Sequence, residues 1–188
     1  MTTLTIQAAE ASTSAPSPAP QFSRIILTGF MGAGKSTVGR ILAERLGWTF
    51  IDLDTLIEDR ANAKVPSIFA EHGEKHFRRL ESSALASALR TAKAVIALGG
   101  GAPESLTNRL LLEQTPGTAT IFLDAPFPAL YDRCVLQDLS RPNLADPIAA
   151  QSRYTQRHPL YRRLASLTVQ TAEQTPEQTA AQILSSLA

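Results

Sequence analysis

Residues 24–40 read RIILTGFMGAGKSTVGR. This stretch predicts a short apolar strand at 25–27 that enters a glycine-rich turn and then, from Lys35, a helix. The turn contains the pattern G-x-x-x-x-G-K-S, which is typical of loops that bind the phosphates of nucleoside triphosphates. Glycines suit such a loop because they lack the Cβ atoms that would keep backbone N–H groups away from a polyphosphate. A turn that only joins a strand to a helix is the alternative, and the flanking strand and helix favour phosphate binding.

The side chains that follow the glycines suit the same ligand. Lys35 can reach the β- and γ-phosphates, and the hydroxyl of Ser36 can bind Mg²⁺. The helix that begins here turns its positive N-terminal end toward the anion. We therefore predict that the nucleotide is held by the end of the loop and the first helical turn, which comprise Gly32, Ala33, Gly34, Lys35, Ser36 and Thr37.

The composition is that of one small domain. The chain has 188 residues, and its net charge of +1 provides no basic surface for nucleic acid. Its one cysteine, Cys134, lies in an apolar helical pattern. We expect this side chain to serve in packing, and the lack of a disulfide framework favours a reducing, cytoplasmic compartment. No apolar run approaches the ~20 residues of a membrane span, and no apolar surface stripe stands out, so we expect a monomer.

The first residues differ in composition from the rest. Residues 1–21 are rich in Ala, Ser, Thr and Pro and contain no Lys or Arg. Such a segment cannot bury enough apolar surface to offset the entropy of ordering, so we expect a disordered tail. Without basic residues it does not have the pattern of a signal or transit peptide. The folded domain is expected over 22–188.

The remainder alternates strands and helices. Further strands are predicted at about 48–53, 94–98, 118–123 and 166–169, and helices at 35–46, 104–113, 127–137, 148–164 and 176–187, with helical stretches interrupted at Pro66 and Gly73 before residue 90. Five strands separated by helices predict an α/β fold of three layers, a parallel sheet covered on both faces. Ligands of such sheets bind beyond the carboxyl ends of the strands. The phosphate loop, two aspartates at 52 and 54 and three glycines at 99–101 all lie at the carboxyl ends of predicted strands.

Beyond these patterns, the chain resembles the shikimate kinase family. The stretches that carry the resemblance are GFMGAGKSTVG at 29–39, the acids at 52 and 54, GEKHFRRLE at 73–81, LGGG at 98–101, RP at 141–142 and PLYRR at 159–163. They occur in the family's order and at similar spacing. The resemblance implies a P-loop kinase fold with a mobile lid. It also implies ATP-dependent phosphorylation of the 3-hydroxyl of shikimate, a step of aromatic amino-acid biosynthesis, with ATP and Mg²⁺.

The resemblance gives roles to the acids. Asp52 is similar to the family's acid on the metal side, which acts through water, so Ser36 and Asp52 would hold Mg²⁺. Asp54 resembles the acid that binds substrate hydroxyls and accepts the proton of the attacking one. Taken without the resemblance, Asp54 is better interpreted as the N-cap of a helix that begins near Thr55.

Two arginines resemble the pair that binds the substrate's carboxylate, for which the planar guanidinium is suited. They are Arg78 and Arg162, although each belongs to a doublet and each taken singly fits a surface side chain. Glu81, three residues after Arg78, can orient its guanidinium. The substrate would lie against the backbone of the triple glycine, whose alternative role is a flexible turn: Gly99, Gly100 and Gly101.

The polar stretch 138–147 resembles the family's lid. Arg141 would bring a cation to the transferring phosphate when the lid closes, and closure would exclude water as a competing acceptor. Arg133 resembles a residue at the adenine face, with the turn from 171 to 176 opposite it. The chain departs from the family at Asn143 in the lid and at Cys134 beside Arg133.

Two other functions remain open at this point. One is a related small-molecule kinase on the same fold, such as a gluconate kinase. The other is a relative that binds ATP or shikimate without turnover. The arginine pair and the triple glycine suit a compact hydroxylated carboxylate better than a nucleotide, and the catalytic set of Lys35, Asp54 and Arg141 is present in the sequence.

Overall fold

The computed structural model describes residues 22–136 and 146–187. Five parallel strands form one sheet in the order β2-β3-β1-β4-β5. The strands are β1 (Arg24–Thr28), β2 (Thr49–Asp52), β3 (Ala94–Ala97), β4 (Thr118–Asp124) and β5 (Leu167–Gln170). The helices are α1 (Lys35–Leu46), α2 (Leu53–Ala61), α3 (Val65–Ala88), α4 (Leu106–Gln114), α5 (Phe127–Leu136), α6 (Pro147–Leu164) and α7 (Pro176–Leu187), with a short 3-10 helix at Ala102–Glu104. The predicted five-stranded α/β fold is confirmed.

Two expectations concern residues outside the described part. The disordered tail was expected over 1–21, and neither it nor residues 137–145, which hold most of the expected lid with Arg141 and Asn143, belongs to the described ranges. The last two residues expected in the lid are described, and they begin α6: Asp146 accepts from the backbone N–H groups of Ile148 and Ala149 as its N-cap. None of the described helices combines the length and apolar character that a membrane span requires.

The sheet is buried on both faces. Consecutive residues of a strand point to opposite sides, and in β1 the side chains of Ile25 and Leu27 belong to one core cluster while Ile26 belongs to another. The first cluster includes residues of α1 and α7, and the second includes residues of α2, α3 and α4. This explains why β1 is apolar at successive positions rather than alternating.

The helix after the phosphate loop has glycines at both ends. It begins at Lys35, directly after Gly34, and it ends before Gly47 at a φ of 63°. The N–H of Gly47 donates to the carbonyls of Ala43 and Glu44. Glycine suits this position because it adopts positive φ without steric cost.

Two boundaries differ from the sequence prediction. Strand β2 ends at Asp52, and α2 begins at Leu53, so Asp54 lies in the first helical turn rather than on the strand. Pro66 does not interrupt a helix, because it lies in the first turn of α3, where its missing N–H has no helical acceptor to lose. The break comes earlier, at Asn62, which has a φ of 47°. Gly73 does interrupt α3, with φ 75° and ψ 172°.

Candidate active site at the carboxyl ends of the strands

The phosphate loop connects β1 to α1 and fits closely against its neighbours. A Cβ on Gly29 would stand 2.5 Å from the carbonyl oxygen of Leu123, at the end of β4. A Cβ on Gly32 would stand 2.4 Å from the carbonyl oxygen of Leu130 in α5. Both glycines have positive φ, 143° and 77°. Glycine is therefore required at these positions by contact and by backbone conformation together.

Lys35 folds back over the loop that precedes it. Its Nζ donates to the carbonyl oxygens of Gly29 at 2.9 Å and Phe30 at 3.0 Å. The ammonium group therefore lies against the backbone of the loop, close to any phosphate that the loop would hold. Gly32, Ala33, Gly34, Ser36 and Thr37, the other residues predicted to hold the nucleotide, form the rest of this loop and the first turn of α1.

The side chains of Ser36 and Asp52 meet between the loop and β2. Ser36 Oγ donates to Asp52 Oδ2 at 2.6 Å, and Asp52 Oδ1 accepts from the backbone N–H of Asp54 at 3.1 Å and of Thr55 at 3.4 Å. Asp52 is therefore the N-cap of α2, the task that the sequence alone favoured for Asp54. A hydroxyl and a carboxylate are hard oxygen ligands, which fit Mg²⁺. Within the described residues no three His, Cys, Asp or Glu side chains form a metal cluster, and Mg²⁺ commonly takes its remaining ligands from phosphates and water.

Asp54 and Glu81 lie beside the first glycine of the triple-glycine loop. A Cβ on Gly99 would stand 2.7 Å from Asp54 Oδ1 and 3.1 Å from Glu81 Oε1. The second acid is buried, with 1% of its side chain exposed. Burial raises the pKa of Glu81 to about 7, although the adjacent Arg78 guanidinium opposes the rise.

Arg78 lies at the centre of a network of carboxylates. Its Nη1 donates to Glu81 at 3.0 Å, and its Nη2 donates to Glu74 and Glu104, each at 3.0 Å. A Cβ on Gly101 would stand 2.5 Å from the same Nη2. The guanidinium is therefore packed directly on the backbone of the triple glycine and held there by partners from three directions. These contacts raise its pKa further above its ordinary value, against the effect of burial.

The structure does not bring Arg162 to this network. Arg162 is exposed and makes no hydrogen bond or ion pair with any residue of the described part. The arginine of α6 that lies there is Arg157, whose Nη2 donates to Glu104 at 3.0 Å and whose side chain is 12% exposed. The two arginines are five residues apart, about 140° around a helix. Only one of them can face the site, and it is Arg157.

Tyr161 shares the inward face of α6 with Arg157, one turn later. Its hydroxyl donates to the carbonyl oxygen of Gly100 at 2.6 Å, and the residue is fully buried. Burial raises the pKa of this phenol well above its usual range. Tyr161, Arg157 and Glu104 are not among the site residues predicted from the sequence. A signal for the first two was present: a tyrosine on a predicted helix tends to face the core, and a residue four positions earlier shares its face.

Arg133 contacts the turn after β5 directly. Arg133 Nη1 donates to Thr171 Oγ1 at 3.2 Å, and Nη2 donates to the carbonyl oxygens of Thr171 and Ala172. Cys134, the next residue, is fully buried, and its Sγ would lie 2.9 Å from a Cβ on Gly32. This cysteine therefore packs against the phosphate loop.

A parallel sheet of order β2-β3-β1-β4-β5 with a phosphate loop after β1 and acids after β2 defines a P-loop kinase. Comparison with known proteins narrows this class. The family model described as Shikimate kinase matches residues 31–188. The chain belongs to the shikimate kinase family.

Individual relatives agree. A shikimate kinase of Thermobifida fusca (strain YX) is 43% identical over 157 residues, which are 82% of this chain and 89% of the relative. A shikimate kinase of Symbiobacterium thermophilum is 40% identical over 167 residues, 87% of this chain and 95% of the relative. Among solved structures, the shikimate kinase from Acinetobacter baumannii in complex with shikimate has a TM-score of 0.81 at 36% identity and covers 88% of this chain and 92% of its own.

Proposed function

We propose that this chain transfers the γ-phosphoryl group of ATP to the 3-hydroxyl of shikimate, giving shikimate 3-phosphate and ADP, a step of aromatic amino-acid biosynthesis. The observation that carries the proposal is the meeting of Arg78 and Arg157 at Glu104. Glu104 follows the triple glycine, whose backbone contacts Arg78 and Asp54 and borders the phosphate loop of this shikimate kinase family member. Such a site offers cations to a carboxylate and an acid to a hydroxyl.

The donor half would be the phosphate loop with Arg133. Gly32, Ala33, Gly34 and Thr37 would line the phosphates with backbone N–H groups and the helix N-terminus. Lys35 would bind the γ-phosphate, since its Nζ already lies against the backbone of the loop. Arg133 and the carbonyl groups of 171–172 would border the adenine. Arg141, in the expected lid, lies outside the described residues and stays a prediction for the closed state.

Mg²⁺ would be held by Ser36 Oγ and, through water, by Asp52. When bound, the ion would neutralise charge on the β- and γ-phosphates. The hydrogen bond of 2.6 Å between Ser36 and Asp52 supports this, because it already holds the two oxygen donors together at the end of the loop. The capping bonds that Asp52 accepts from α2 would fix its carboxylate in place.

The acceptor half would be built on the triple glycine. Arg78 and Arg157 would bind the substrate's carboxylate, the second taking the role expected of Arg162. Arg157 Nε is buried with no acceptor among the described residues, so this guanidinium has an unused donor. The backbone of Gly99, Gly100 and Gly101 would lie against the ring. Asp54 would orient the 3-hydroxyl and accept its proton as the oxygen attacks the γ-phosphorus, because phosphoryl transfer depends mainly on positioning and charge neutralisation.

The competing activities can be separated in one assay. ADP release is measured with ATP and Mg²⁺ and with shikimate, quinate, gluconate or a nucleoside monophosphate in turn. We expect shikimate to stimulate release most strongly. Stimulation by gluconate instead would favour the related kinase, whose fold the chain shares with a gluconokinase from Sinorhizobium meliloti 1021 at a TM-score of 0.58 and 20% identity. Binding of shikimate without ADP release would favour a non-catalytic relative.

Two further properties belong to the same proposal. We expect a monomer, which analytical ultracentrifugation measures, and a cytoplasmic location, in keeping with the single buried thiol of Cys134. ATP and shikimate are the proposed ligands, and the net charge of +1 favours no nucleic-acid partner.

A further inference from the structure

Glu104 connects the two arginines of the acceptor half. It ends the short 3-10 helix that follows the triple glycine. Its Oε2 accepts from Arg78 Nη2 and from Arg157 Nη2, each at 3.0 Å. The two guanidinium groups come from different helices, α3 and α6, so this one carboxylate oxygen joins elements that are far apart in the sequence.

This bridge has the form that a bound carboxylate ligand would take. Arginine recognises a carboxylate through its N–H groups, and two arginines that converge on one oxygen are a strong site for an anion. In this structure the anion is Glu104, a side chain of the chain itself. An incoming substrate carboxylate therefore meets N–H donors that are already in use.

The charges around the arginines lead to the same conclusion. Arg78 also pairs with Glu74 and Glu81, so the positive charge of the two arginines is already compensated by nearby carboxyl groups. A further anion placed beside Glu104 would be repelled at close range. Displacing Glu104 removes both the repulsion and the competition for donors.

Glu104 is placed so that it can leave. Its side chain is 35% exposed, at the rim of the network, whereas Glu81 is 1% exposed and holds Arg78 from the buried side. Rotation of the Glu104 side chain toward water would free one N–H donor of Arg157 Nη2 and one of Arg78 Nη2, which still donates to Glu74. Arg78 would keep its orientation through Glu81. Partly exposed ion pairs contribute little to stability, so this exchange has a small cost.

We propose that Glu104 is an internal competitor for the substrate's carboxylate and thereby sets the affinity of the site for its acid substrate. The inference rests on the proposed function, because it takes the arginine pair as the carboxylate site. Glu104 does not act in phosphoryl transfer. Glu104 lowers the affinity for the acid substrate, because the substrate's carboxylate must displace the Glu104 carboxylate from the two arginines.

The test is Glu104→Gln, which keeps the size of the side chain and removes its charge. KM for shikimate and its Kd, from equilibrium titration without nucleotide, are expected to fall about three- to tenfold. KM for ATP is expected to stay within about twofold, since the phosphate loop is not touched. A structural role for Glu104, holding the arginines in place, predicts the opposite sign: KM for shikimate would rise.

A neutral ligand separates charge competition from a general opening of the site. The methyl ester of shikimate carries no carboxylate, so its Kd is expected to be the same in native chain and variant. If Glu104→Gln lowered the Kd of shikimate and of its methyl ester by the same factor, the proposal would be overturned. An unchanged or raised KM for shikimate in the variant would also overturn it.

Control variants remove other carboxylates. Glu113→Gln changes an exposed carboxylate of α4 and should change no constant. Glu74→Gln removes a carboxylate that shares Arg78 Nη2 with Glu104 but is 65% exposed, so KM for shikimate is expected to fall less than with Glu104→Gln. If Glu104→Gln does not fold, Glu104→Ala serves, because the backbone bond from Glu104 N to Gly101 O is kept. Native chain that releases no ADP with shikimate refutes the proposed function. If the native chain turns over shikimate but neither Glu104→Gln nor Glu104→Ala lowers KM for shikimate, this inference is refuted and the proposed function stands.

Discussion

At the scale of single residues, the site depends on side chains that each hold two neighbours. Asp52 accepts from Ser36 with one oxygen and from the N-terminus of α2 with the other. Lys35 joins two carbonyl groups of its own loop. Such residues fix local geometry before a ligand arrives, which lowers the entropy that binding must offset. Substituting such a residue therefore removes activity without unfolding the chain only where other contacts hold the backbone in place.

Lys35→Met is such a substitution. The loop's conformation is set by glycines and by packing on Leu123 and Leu130, which the substitution leaves intact. The ammonium group that we propose to bind the γ-phosphate is lost. We expect shikimate-dependent ADP release to fall at least about a hundredfold, with the near-UV circular dichroism of the native chain retained. A variant that unfolds, or one that keeps native turnover, would contradict the assignment of Lys35.

Glu81 makes stability depend on pH in an unusual direction. A carboxyl group with an ordinary pKa near 4.5 in the unfolded chain and about 7 in the folded chain binds its proton more tightly when folded. The free energy of unfolding therefore falls as pH rises from about 4.5 to 7, by up to about 3 kcal/mol from this group.

Denaturation of native chain and Glu81→Gln in urea from pH 5 to 8 measures that dependence. The variant has no ionisable group at this position, so the difference in unfolding free energy, native minus variant, should decrease across this range. A difference that increases with pH would mean that the pairing with Arg78 outweighs burial and that the pKa of Glu81 is lowered.

At the scale of elements, α6 decides which arginine reaches the acceptor half. Arg157 and Tyr161 are one turn apart on its inward face, where they meet Glu104 and the carbonyl of Gly100. Arg162 is exposed on another face. The same helix is fixed to β4 by the pair of His158 and Asp124, with 3.2 Å between Nε2 and Oδ1.

The two arginines of α6 provide a matched pair of variants. Both Arg157→Met and Arg162→Met remove one positive charge from the same helix. We expect the first to raise KM for shikimate at least about tenfold, since a charge-assisted carboxylate bond is lost, and KM for ATP to change little. The second is expected to leave both constants within about twofold. The reverse result would restore Arg162 to the site.

Features that depend on residues close together in the sequence could be predicted, and features that depend on contacts between distant segments could not. The turn between β1 and α1 and the five strands depend on local patterns, and local patterns were sufficient to predict them. The PLYRR motif points to Arg162, whereas the arginine of α6 that contacts Glu104 is Arg157. A motif identifies neighbours in sequence, while the face of a helix is set by its 3.6-residue period. Glu104 was missed because its partners are contributed by α3 and α6, and no short-range pattern encodes that meeting.

At the scale of the whole molecule, the strand order separates the two halves of the site. The phosphate loop follows β1, the central strand. The triple glycine follows β3 on one side of it, and the contact between Arg133 and Thr171 follows β4 and β5 on the other. The nucleotide and shikimate would therefore meet at the carboxyl end of β1, although each binds side chains of its own half. Each ligand should thus stabilise the fold in the absence of the other.

Thermal unfolding tests this division. A ligand at a hundred times its Kd adds about 2.7 kcal/mol of stability, which for a chain of this size is about 5–10 °C in Tm. We expect two separate additions, Mg²⁺ with ADP and shikimate alone, each to raise the Tm of the native chain by about this amount. At the same ligand concentrations, Arg157→Met should reduce the shift with shikimate by about half or more and keep the shift with Mg²⁺ and ADP. Arg133→Met should do the reverse. If either variant lost both shifts, the two half-sites would not be independent parts of the sheet edge, and the substitution would have disturbed the phosphate loop that they share.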